Sequence, residues 1–177
     1  MPSGGMSVRG VLSVAGARVR GVSDYYDLFL AVDLPPDLPE PTLQELRWLL
    51  GQAEAPPTLE SADWDSWGYP WQVFAGGFAS HSFDGVDTSL LLRAVDRPNL
   101  DGSVPWALTV RTCVHEDEFG VVMEVVEWIL RQSTAQGWVG FLRYSGSDEV
   151  QHVVRHQDGF DVVDVRMTRK QISRSWS

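Results

Sequence analysis

The densest run of side chains that could hold a ligand is Trp64-Asp65-Ser66-Trp67-Gly68-Tyr69-Pro70-Trp71. Trp64, Trp67, Tyr69 and Trp71 set four rings within eight residues. Aromatic rings cover sugars, bases and partner side chains at low entropic cost, so the segment is a candidate ligand or partner surface. The competing use of such rings is to cap one end of a core, because tryptophan is highly buried on average. The interspersed Asp, Ser, Gly and Pro are loop residues, and loops lie at the surface.

Polar groups with catalytic or ligating chemistry are fewer. His81, Asp84 and His115 join the aromatic run as candidate ligand or partner residues, and with Asp87, Glu116 and Asp117 they could offer mixed nitrogen and oxygen ligands. No HxH, HExxH or CxxC spacing supports a metal. His152 and His156 share a strand face about 13 Å apart, too far to chelate one ion. Cys113 and His115 also share a face, but about 7 Å separates them, too far for a proton relay. Gly76-Gly77 precedes no Lys-Ser/Thr, and neither GxGxxG nor GxSxG occurs. The expectation is no catalytic set, no cofactor and no metal. A single cysteine allows no intrachain disulfide, which fits a reducing, cytoplasmic location.

Charge narrows the partner. Residues 24–165 hold all 24 acidic residues and seven arginines, a net of −17, while the two ends are basic and acid-free. A phosphate backbone would be repelled by such a body, which excludes nucleic acid. No apolar run approaches the roughly 20 residues of a membrane helix. Arginine outnumbers lysine 13 to 1, Asn99 is the only asparagine, and isoleucine occurs only at 129 and 172, a usage that points to a GC-rich bacterial genome.

The elements that must position these residues follow from hydrophobic periodicity. Residues 1–22 have no consistent period and are expected to be a disordered or mis-annotated extension. In YYDLFLAVDL, Tyr26, Leu28, Leu30, Val32 and Leu34 share one face, and Tyr25, Asp27, Phe29, Ala31 and Asp33 the other, which is a strand. After a proline-punctuated gap, Thr42 and Glu45 read as a capping box for a short helix that Gly51 ends. Gln72–Phe83, Thr88–Val95 and Trp106–His115 read as strands. Asp117 reads as the N-cap of a strongly apolar helix that Gly137 closes. Trp138–Tyr144, Val150–His156 and Phe160–Met167 are three further strands joined by tight turns.

The string YYDLFLAVDL, the proline-rich gap and LQELRWLLG resemble the opening of a small uncharacterised protein family of high-GC Gram-positive bacteria. The likeness covers about 30 residues and extends more weakly to HEDEF and its helix. It implies no activity and no catalytic residue.

Runs of strands joined by tight turns mean an α+β fold, mainly an antiparallel sheet with two helices on one face. The β-α-β-β-α-β core resembles the ferredoxin-like arrangement with extra strands. One domain is expected over 23–167, with a basic flexible tail over 168–177. The leading expectation is a non-enzymatic, acidic interaction protein, monomer or homodimer, that binds a basic protein partner. Inhibitors and immunity proteins are its analogues in charge and size. The alternative is a small-molecule binder or hydrolase with a cleft near Trp64–Trp71 and His81, Asp84 and His115.

Overall fold

The alternation in Tyr25–Leu34 becomes β1, the strand on which everything else is hung. The structure, a computed structural model, describes residues 24–81, 83–147 and 149–164. The expected N-terminal extension (1–22), the end of the last predicted strand (165–167) and the basic tail (168–177) lie outside the described residues.

Chain order is β1, α1 (Glu40–Leu49), the single-turn α2 (Trp64–Trp67), β2 (Thr88–Arg93), β3 (Trp106–His115), a 3-10 turn (Glu116–Glu118), α3 (Phe119–Gln132), β4 (Gly137–Tyr144), β5 (Val150–His156) and β6 (Gly159–Asp164). The six strands form one antiparallel sheet in the order β2-β3-β1-β4-β5-β6. The fold is α+β. Because β3 and β4 both run opposite to β1, they are parallel to each other, and α3 makes the long crossover between them.

Alternation decides which side of the sheet is covered. Leu28, Leu30, Val32 and Leu34 of β1, with Trp106, Leu108, Val110 and Val114 of β3, are buried in one cluster with the apolar faces of the helices. Leu43, Leu46, Trp48 and Leu49 of α1 and Val121, Val122, Val125, Val126, Trp128, Ile129 and Leu130 of α3 supply the helical half. Burial of this kind contributes about 1.5–3 kcal/mol for each large apolar side chain.

Four local expectations are corrected. No strand spans Gln72–Phe83. Phe74 is wholly buried and its amide bonds to the Leu49 carbonyl at 2.9 Å, so the segment is anchored to the end of α1. The chain then turns through Gly77 at φ +91°, leaving one bridge, Ala79 with Val86. Thr42 and Glu45 form no capping box, because α1 begins earlier, behind Pro39 with Pro41 in its first turn. Asp117 does not cap α3; the chain enters through the 3-10 turn, where the His115 side chain accepts from the Asp117 amide. Gly137 does not close α3 either. The helix ends at Gln132, where Ser133 turns the chain out by donating to the Asp33 carbonyl at 2.8 Å.

Candidate functional site

The rings of 64–71 run from the core to the surface. Trp64 is buried edge-on against Trp48 and Trp71, with ring centroids 5.7 and 5.6 Å away, and Trp71 lies 5.7 Å from Tyr69, which is 69% exposed. Trp64 caps the core, and Tyr69 faces solvent. Trp67 lies over Gly120 and donates through Nε1 to Glu124 Oε1 at 3.2 Å. The other oxygen of Glu124 accepts from the Asp63 amide at 2.9 Å. Asp63 in turn accepts from the Ser66 hydroxyl at 2.7 Å, closing the turn of α2.

Opposite this turn runs segment 55–62, held by Glu45. That carboxylate is 2% exposed and accepts from the Glu60 amide at 2.8 and 3.1 Å and from the Ser61 amide at 2.9 Å. Between the two segments lies a groove of about 560 Å³. Pro56, Pro57, Leu59, Trp64, Tyr69 and Pro70 supply its apolar lining, and Asp63 and Asp65 are its only charged groups among the described residues. The groove is open and its lining is mixed, which suits an extended chain lying across it better than an enclosed small molecule.

A Cβ on Gly120 would lie 2.6 Å from the Trp67 ring. Gly120→Val is expected to push Trp67 off α3, break its bond to Glu124 and cost about 1–3 kcal/mol. Urea unfolding checks this through a lowered midpoint with an unchanged slope.

The other sequence candidates lie elsewhere. His81 and His115 flank Tyr25, with ring centroids 4.8 and 5.0 Å from it. Asp84 is exposed at its turn and makes no hydrogen bond or ion pair among the described residues. The structure thus divides the seven candidates: Trp64 and Tyr69 in the groove with Trp71 beside them, Trp67 at the end of α2 packed against α3, the two histidines at Tyr25, and Asp84 exposed at its turn. No three His, Cys, Asp or Glu side chains gather into a metal-binding group among the described residues. No helix among them is long and apolar enough to cross a membrane.

Sequence reasoning missed two features on the side of the sheet away from the helices. The first is buried Asp27, whose Oδ2 accepts from Arg143 at 3.1 Å and Arg111 at 3.3 Å. Arg111 also donates to the Val86 carbonyl, and the Arg143 guanidinium lies 4.4 Å over the Phe83 ring, so these two arginines strap loop 78–87 across one end of the sheet. Their spacing of 84 and 116 residues from Asp27 leaves no local signal.

The second is an open apolar strip. Phe29 stacks on Phe141 and Trp138, at 5.3 and 6.1 Å, and Trp138 reaches His152. Strict alternation would place residues 138 and 141 on opposite faces. A register shift between Trp138 and Gly140 inserts one residue, which buries Val139 and returns both rings to the open face. Leu90 and Leu92 at one edge and Val163 at the other continue the strip and are exposed. At its far end Arg97 donates to both oxygens of Asp33, which holds that carboxyl below its ordinary value.

At the opposite end of the sheet the Tyr144 hydroxyl donates to Asp24 Oδ1 at 2.6 Å. This bond, then partial burial and the nearby negative charge, raise the Tyr144 pKa above its ordinary value of 10. Folding favours the protonated phenol, so this contribution is whole below the ordinary value and is lost as pH rises through the raised one. Asp24→Asn is expected to lower the Tyr144 step, followed at its ring signals in an alkaline NMR titration. An unchanged curve would contradict the assignment.

The arginines explain the sign of the surface. All seven of residues 24–165 are engaged within the chain. Arg97, Arg111, Arg131 and Arg143 pair with carboxylates. Arg93 and Arg155 donate to carbonyls, and Arg47 lies over Trp106. Glu40, Glu54, Glu60, Asp63, Asp65, Glu116 and Glu118 have no basic partner among the described residues. Compared with family models, curated proteins and solved structures, the chain matches none.

Proposed function

We propose that this chain is a non-enzymatic, acidic interaction protein whose partner is a basic polypeptide, taken up at the groove between segments 55–62 and 63–70. The observation that carries the reading is the distribution of charge. Every arginine of the body is spent internally, and the groove's charged groups are two aspartates. A lysine or arginine stem fits an apolar wall of prolines and Tyr69, with its head at Asp65. An exposed aromatic ring adds about 0.5–1 kcal/mol toward a cation.

The hydrolase alternative would need His81, Asp84 and His115 to share a concave site with the aromatic run. The groove contains none of the three, which favours the interaction reading.

The test uses a tetra-arginine peptide followed by NMR. Its binding is expected to shift Tyr69 and the Trp64 indole signal first. Tyr69→Ala and Asp65→Asn are each expected to weaken it about two- to fivefold. Binding that neither substitution touches would refute the groove as the site.

A further inference from the structure

We propose that the open face of the sheet is where two copies of this chain meet. Six strands present one side to the helices and leave the other without a covering layer of secondary structure among the described residues. Leu90, Leu92, Phe29, Phe141, Trp138 and Val163 cross that side from edge to edge, and four of the six are exposed by 41–51%. Contiguous apolar surface of this kind marks an interface.

Charge chooses the occupant. The carboxylates along β1 that bracket the strip are already neutralised, Asp27 by Arg111 and Arg143 and Asp33 by Arg97. At the β6 edge Asp161 lies 3.5 Å from His156. A basic polypeptide would find no unpaired carboxylate along the centre of this strip. A second acidic copy, repelled elsewhere by its own surface, meets little repulsion there. Area agrees with this choice. Five strand intervals make the face about 24 Å wide, and strands of six to eight residues beside β1 and β3 make it about 20–26 Å long, an area of about 500–600 Å² that loop 78–87 narrows at one end, which is the size of a weak, reversible interface. Two such sheets pack about 10 Å apart around a two-fold axis, with the Phe29–Phe141 stacks at the centre. The strip can pair with its own copy because it is uncharged along its centre and lined mainly by rings and aliphatic side chains.

This inference is independent of the groove, and salt separates the two. Raising salt screens repulsion between acidic copies and tightens the dimer, whereas it weakens a basic partner's attraction. The experiment is sedimentation equilibrium of the full chain at about 50 and 500 mM sodium chloride. A dimer is expected, with Kd falling as salt rises. Leu92→Glu and Trp138→Glu are each expected to raise Kd on the order of 100-fold, because a charge would be buried unpaired. The thermal melt of Leu92→Glu, extrapolated to monomer, should match the parent, while Trp138→Glu also loses its stack on Phe29. Tyr69→Ala should leave the dimer unchanged, so loss of groove binding and loss of dimer are read separately. A monomer at every concentration would overturn the inference, whether the face is then bare or occupied by residues 165–177. So would a dimer indifferent to both glutamate substitutions, which would place the contact on a sheet edge instead.

Discussion

Replacing Gly140 by alanine is expected to cost this chain most of its stability. A Cβ at that position would sit 2.0 Å from the Phe29 carbonyl oxygen and 3.0 Å from its carbon. These atoms belong to the central strand, so no side-chain rotation relieves the clash. Gly140 pairs with Leu30 and occupies the bulge that sets Trp138 and Phe141 on one face. Alanine would force β4 away from β1 and break the register on which β5 and β6 depend. Overpacking costs about 1–3 kcal/mol where side chains can give, and more where backbone must move. Against a total of about 5–15 kcal/mol, a loss above about 3 kcal/mol is expected. Urea unfolding followed by tryptophan fluorescence measures it. A loss below about 1 kcal/mol would mean that the bulge is not fixed by this close approach.

Glu45→Ala should have the second largest effect, and for a different reason. Its carboxylate is buried without a cation and is held by three amide bonds from Glu60 and Ser61. Alanine removes the only side-chain acceptor of two amides and leaves a cavity beneath segment 55–62. A cost of about 2–5 kcal/mol is expected, with faster hydrogen exchange at Glu60 and Ser61 and loss of groove binding. Glu45→Gln keeps one acceptor but brings an amino group near the same amides, so an intermediate cost is expected. If the alanine variant exchanged those two amides at the parent rate, the tether would be disproved.

The sheet is legible because alternation is a strong local signal. The bounds of β1, β3 and β5 fall where expected; β3 alternates throughout, and Leu28, Leu30, Leu108 and Val110 are buried as period two requires, while buried Asp27 breaks the pattern in β1. The helix Phe119–Gln132 is equally plain, since its apolar spacing admits no strand. Segment 72–83 misleads because it is apolar without being paired. Phe74 enters the core from a loop, and the glycine pair lets that loop pass close to β2: a Cβ on Gly76 would come 2.8 Å from the Ser89 amide. Glu45 misleads because a residue three positions after a threonine matches a cap by spacing, while its actual partners lie 15 and 16 residues away. Of the site, Trp64 and Tyr69 are visible as composition. The opposing wall is not, because Pro56, Pro57 and Leu59 acquire meaning only when Glu45 draws them across. The uncovered face follows from two helices on one side, but Trp138 joins it only through a bulge, which no periodicity encodes.

Affinity of the full chain for tetra-arginine across a salt series, read at Tyr69 and the Trp64 indole, tests the central claim most directly. Binding is expected at about 20 mM salt and falls about tenfold or more by about 200 mM, with shifts centred on residues 55–70. Affinity independent of salt, or shifts confined to the open face around Phe29 and Trp138, would contradict it.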